Sequence, residues 1–118
     1  AVMPRDADLH YALGLLLVRR HDPGSALQEL VEAARLAPDN ARYAYVQAIA
    51  LHSAGRRAEA LAVLRGANKR HPQDLDILGA LVSINREAGD RQASLRYARE
   101  TAVLLPDNPD PRARIGVR

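Results

Sequence analysis

The chain has 118 residues, enough for one domain that buries roughly two thirds of the surface its unfolded form exposes, so a core is attainable without covalent staples. Hydrophobic content is 47% with no Phe, Trp or Cys and four Tyr, so the core is expected to be assembled from small and aliphatic side chains, and no disulfide, thiolate zinc site, iron–sulfur cluster or covalent haem attachment is expected. The net charge of +3 comes from 17 Lys and Arg, all but Lys69 being Arg, scattered among 14 acids; that pattern reads as an Arg-rich surface biased by genome composition rather than as a nucleic-acid footprint.

Residues 1 to 6 read as an N-terminal extension, lacking both an initiator Met and the basic and apolar regions of a signal peptide, as expected of a piece of a longer protein. From Ala7 a helical pattern runs to the turn signal His21-Asp22-Pro23-Gly24-Ser25. Its longest apolar run, Ala12 to Val18, stops at Arg19-Arg20, well short of the roughly 18 apolar residues of a membrane span. A soluble segment is expected, in the cytoplasm by default, with the periplasm also open. A second helix closes at Pro38, because proline cannot donate and pushes the residue before it out of the helical region. A third runs from Ala41 to Ala54-Gly55-Arg56 and a fourth to Pro72; a fifth runs from Leu75 to Ala88-Gly89-Asp90 and a sixth to Pro106. Gly55 and Gly89 suit the left-handed residue that ends a helix, and Asp39, Asp74 and Asp107 are expected to help cap the helices that follow. Each helix is about 14 residues, or roughly 21 Å. Residues 109–118, with Pro109-Asp110-Pro111 and then Arg112, Arg114 and Arg118, lack the periodicity for a further helix and read as a tail or truncated cap.

Pro38, Pro72 and Pro106 are spaced 34 residues apart, and a fixed period of this length marks a stacked-repeat architecture. Windows 7–40, 41–74 and 75–108 place small residues in register: Gly14, Ala48 and Val82; Ala26, Ala60 and Ser94; Ala33, Ala67 and Thr101. Small side chains there let one helix backbone approach another. The columns Leu27, Leu61 and Leu95, then Leu30, Leu64 and Ala98, then Leu16, Ala50 and Ile84, are expected to fill the remaining space. Nothing after Asn108 supplies an obvious polar terminal helix, so Leu95, Leu104 and Leu105 are expected to be partly exposed and to associate with something, or to be covered by a cap from the parent protein.

These windows resemble tetratricopeptide repeats, a family with a 34-residue helix–turn–helix, small residues in these columns and a proline near the end. The resemblance covers residues 7 to 108; it departs where the usual early aromatic is His10, Ala44 or Leu78, where Gln47 interrupts the column of Leu13 and Leu81, and in the divergent third repeat. It implies an all-α, right-handed superhelix of antiparallel helix pairs, about six helices in all, whose concave groove is lined by the first helix of each repeat. Carried onto this chain, the groove residues are Asp8, Tyr11, Leu15, Val18 and Arg19, then Arg42, Tyr45, Ile49, His52 and Ser53, then Asp76, Gly79, Ser83, Arg86 and Glu87. Tyr11, Leu15, Tyr45 and Ile49 would form an apolar floor beside Arg42, and Arg19, His52 and Arg86 would contribute positive donors, a surface suited to a peptide or helix with an apolar anchor and an acidic neighbour. The same floor would also serve as a packing face for another domain of a larger bacterial parent, such as a multihaem cytochrome, or for a second copy. Repeats that clamp chaperone C-termini use Lys, Asn, Asn, Lys and Arg where this chain has Tyr11, Leu15, Val46, Asp76 and Ala80, so that subtype is excluded.

No enzyme signature is present: Ser25, Ser53, Ser83, Ser94 and Thr101 lack a nucleophile-elbow context, and no glycine loop cradles a phosphate. Among His10, His21, His52 and His71 no two lie three or four apart on a helix; Asp6, Asp8 and His10 read as acids at a helix start rather than as a metal site, and Glu29, Glu32 and Glu59 as solvated faces. His52 is the histidine to test, as a pH-sensitive contact. No cofactor and no metal are expected.

Overall fold

The computed structural model describes residues 4–105; Pro106, Asp107, Asn108 and the tail from 109 to 118 lie outside the described residues, as do residues 1 to 3. Six helices follow in order: α1 (Pro4–Arg19), α2 (Pro23–Leu36), α3 (Ala41–Ser53), α4 (Arg57–Arg70), α5 (Leu75–Glu87) and α6 (Arg91–Leu104). Odd and even helices pair as α1 with α2, α3 with α4 and α5 with α6; α2 then packs on α3, α4 on α5, and α3 also touches α5. The result is an all-α solenoid of three helix pairs, elongated to 55 × 29 × 27 Å.

Local chemistry explains where each helix starts. Asp22, Asn40, Asp74 and Asp90 sit at N-caps, where their side chains accept from the backbone N–H groups of Ser25, Tyr43, Ile77 and Ala93. The cap of α3 is therefore Asn40 and not Asp39. Asn40 and Asp74 share one column of the repeat, whereas Asp39 stands one residue early and reaches only Arg70, at 3.9 Å. The N-cap of α4 is Arg56, which makes no side-chain cap bond. Arg56→Ser would pair a capping hydroxyl with Glu59 three residues on, the reciprocal arrangement that satisfies two free N–H groups. It is expected to raise stability by about 0.5 to 1 kcal/mol in urea titrations, since the exposed Arg56–Glu59 bridge it removes is worth little; an unchanged midpoint would refute this account.

The turns inside each repeat share a left-handed residue, His21, Gly55 and Gly89, with φ of 59°, 79° and 84°. Only the first repeat places a side chain there. Between repeats, Arg70 at the end of α4 donates to the Pro38 carbonyl at 2.7 Å, tying that turn to the next helix pair.

The small columns lie where helices touch: Ala26, Ala33, Ala48, Ala60 and Ala67 are buried, and Ser94 is accommodated in its column because its hydroxyl donates to the Val82 carbonyl at 2.9 Å. Leu27, Leu64, Leu78, Leu81, Ile84 and Tyr97 belong to one core running through α2 to α6. A second cluster of Ala7, Ala33 and Tyr43 joins α1 and α2 to α3. One aliphatic expectation is overturned. Leu16 is exposed, while Ile84 in the same column is buried, because Ile84 packs on the preceding repeat and Leu16 has none before it among the described residues.

Candidate functional site

Two depressions open along α1, α3 and α5 and bring together part of the expected groove columns. The first, about 480 Å³, is lined by Leu15 and Val18 of α1, Val46, Ile49 and Ser53 of α3, and Ala26 and Leu30 of α2 below. Leu15, Val18 and Ile49 are exposed, although each is apolar. The second, about 360 Å³, lies between α3 and α5 and is lined by Tyr45, Ile49, His52, Asp76, Ser83 and Glu87 among others. Ile49 borders both.

The two ends of this face differ electrostatically. At the α3–α5 end, His52 Nε2 lies 2.6 Å from Glu87 Oε2, and Arg42 Nη1 lies 3.6 Å from Asp76 Oδ2. Arg42 also stands 5.5 Å from the centre of the Tyr45 ring, and its pKa is raised, first by hydrogen bonding with Tyr11 and then by Asp76. His52, expected as a positive donor, and the groove residue Arg42 thus each lie against an acid of the next repeat. Arg19 and Arg86 are exposed and border neither depression. The α1–α3 end has no such ion pairs in its lining, and its walls are mainly aliphatic, with His21 and Ser53 the polar members.

Tyr11 does not lie open on the floor. Its ring stacks on Tyr43 with centroids 4.6 Å apart and packs against the buried cluster of Ala7 and Ala33. Tyr43, absent from the sequence expectation, donates its phenol O–H to Asp8, and burial followed by that bond pushes the phenol up to about 12. Asp8 and His10 therefore diverge, since His10 Nδ1 reaches Glu29 Oε1 of α2 at 2.7 Å. Nor are Glu29, Glu32 and Glu59 merely solvated: Glu32 accepts from Arg35 and Glu59 from Arg56. No group of three His, Asp or Glu side chains among the described residues is arranged to hold a metal ion. No helix among them is long and apolar enough to cross a membrane.

Taken together, the paired helices and the face they present define a helical-repeat protein of the solenoid class. Its fold is that of tetratricopeptide-repeat proteins. The chain superposes on a MamA structure from AMB-1 with a TM-score of 0.74 at 22% identity, covering 86% of this chain and 60% of that one. A further MamA structure gives 0.78 at 17% identity, with coverage of 86% and 60%. YrrB, described as a TPR protein with an unusual peptide-binding site, gives 0.78 at 23% identity over 87% of this chain and 53% of its own. The chain thus spans just over half the length of these relatives in structure. No protein-family model and no curated protein matches the sequence.

Proposed function

We propose that the chain is a non-enzymatic interaction module that holds a peptide or helix on the face of α1, α3 and α5, anchored by an apolar side chain in the depression between α1 and α3. The observation that carries this reading is the convergence of exposed Leu15, Val18 and Ile49 on one depression of about 480 Å³. Apolar atoms that stay in water on a face otherwise balanced by ion pairs gain most from a ligand that covers them. The similarity to YrrB, itself described as having a peptide-binding site, supports the reading. A nucleic-acid role is disfavoured by the pairing of Arg35, Arg42, Arg56 and Arg70 with acids.

The test is selection of binding peptides from a displayed random library, followed by affinity measurement. Selected peptides should share an aliphatic residue, and Ile49→Asp should weaken their binding at least about tenfold, or 1.4 kcal/mol, by placing a carboxylate where the anchor is desolvated. Val31→Asp, at an exposed apolar position on α2 away from both depressions, should leave binding unchanged. Binding indifferent to Ile49→Asp would overturn the groove assignment.

A further inference from the structure

The column of Leu9, Tyr43 and Ile77 is 66%, 6% and 0% exposed, and that of Leu13, Gln47 and Leu81 runs from 44% for Leu13 to 0% for Leu81. Leu16 and Ile84 repeat the contrast at 54% and 3%. The residue types on α1 and α5 are equivalent; what differs is the neighbour. α3 and α5 each pack on the preceding even helix, α2 or α4, and it is there that Tyr43, Ile77, Leu81 and Ile84 of these columns are buried. The opposite end of the molecule shows the complementary change. Leu27 of α2 is 8% exposed beneath α3, whereas Leu95, its counterpart on α6, is 46% exposed and Leu105 beyond it 52%.

The two ends are therefore the halves of an interface that the chain already forms twice internally. A face made of Leu9, Leu13 and Leu16 is shaped to sit on an even helix, and the α6 face is an even helix with nothing on it among the described residues. We propose that copies of this chain associate head to tail, with the α1 face of one seated on the α6 face of the next in the register that α5 adopts on α4. Such a contact is heterologous, joining two different surfaces, so it leaves a free end at each side and can extend beyond two copies. It uses neither depression of the groove, so it stands or falls separately from the peptide-binding reading. The large fraction of apolar side chain exposed at each end supplies the driving force.

Sedimentation velocity and light scattering over a wide concentration range test this. The mass should rise with concentration above the monomer's 12.9 kDa. Leu13→Glu, which damages the α1 face, and Leu95→Glu, which damages the α6 face, should each weaken self-association at least about tenfold. Mixing the two variants should restore association but stop it at a heterodimer, because the intact α6 face of the first meets the intact α1 face of the second and the remaining ends are both blocked. Circular dichroism checks that the variants remain folded, and Leu16→Glu with Leu105→Glu repeats the pair if either does not. A mass fixed at the monomer at every concentration, as expected if another stretch of chain or a different partner covers these faces, would overturn the proposal. So would wild-type association by Leu95→Glu, which would indicate contact between two α1 faces, or a failure of mixing to restore it.

Discussion

Leu64→Ala is expected to destabilise the fold by about 2 to 5 kcal/mol, the range for emptying a fully enclosed leucine site, against a total stability of roughly 5 to 15 kcal/mol for a domain of this kind. Leu64 is completely buried at the centre of α4, in the same core as Leu27 of the first repeat and Leu81 of the third. Its loss therefore weakens the middle pair and both of its interfaces together. In a stacked array, where stability is the sum of repeat terms and nearest-neighbour terms, damage to the middle unit uncouples the ends, so thermal unfolding should shift to lower temperature and also broaden. Leu13→Ala supplies the comparison: the same atoms are removed from an exposed site, and the change at concentrations where the chain is monomeric should stay within about 0.5 kcal/mol. Equal losses for the two variants, or a wild-type melt for Leu64→Ala, would contradict the burial pattern on which the fold is explained.

The repeat period exposed the six helices, their turns and the small contact columns because each depends on local chemistry that recurs in register. Where reading by columns fails, the cause is that burial depends on a neighbouring helix and not on the column itself. Periodicity tells which face of α1 is apolar, but burial of Leu16 needs a preceding helix, and no local pattern reports whether one is there. The state of the groove residues is not legible in the columns: His52 is expected as a positive donor and Arg42 as a groove residue, yet Glu87 and Asp76 of the following repeat lie against them. A signal for these pairs existed. Asp8 with Tyr43 and His52 with Glu87 are both separated by 35 residues, one more than the period, and Arg42 with Asp76 by 34, so complementary side chains about one period apart would have marked the cross-repeat contacts. Tyr43 was overlooked for the same reason. It occupies the column of Leu9 and Ile77, where an aliphatic residue suffices, and its hydroxyl matters only because Asp8 of the previous repeat is within reach.

The contact between Gly14 and Leu30 yields a prediction in which two costs should partly cancel. A Cβ built on Gly14 would stand 2.7 Å from Leu30 Cδ2 and 2.8 Å from its Cγ, closer than side chains tolerate, so the buried Leu30 must shift to make room. Gly14→Val is expected to cost about 1 to 3 kcal/mol by overpacking, more than the few tenths regained from replacing glycine within a helix. Leu30→Ala alone should cost about 2 to 5 kcal/mol by leaving a cavity. The third repeat shows what the combination resembles, because its residues in these two columns are Val82 and Ala98: the larger member has moved to the first helix and the smaller to the second. The double variant should therefore be more stable than the sum of the single losses predicts, by about 1 kcal/mol or more, a coupling that a double-mutant cycle in urea measures directly. Gly66→Ala separates this packing effect from helix propensity, since a Cβ at Gly66 meets nothing within 4 Å and the change should stabilise α4 by up to about 1 kcal/mol. Strict additivity in the cycle would mean that Gly14 and Leu30 do not compete for the same space, and that the small first column is set by something other than the approach of α1 to α2.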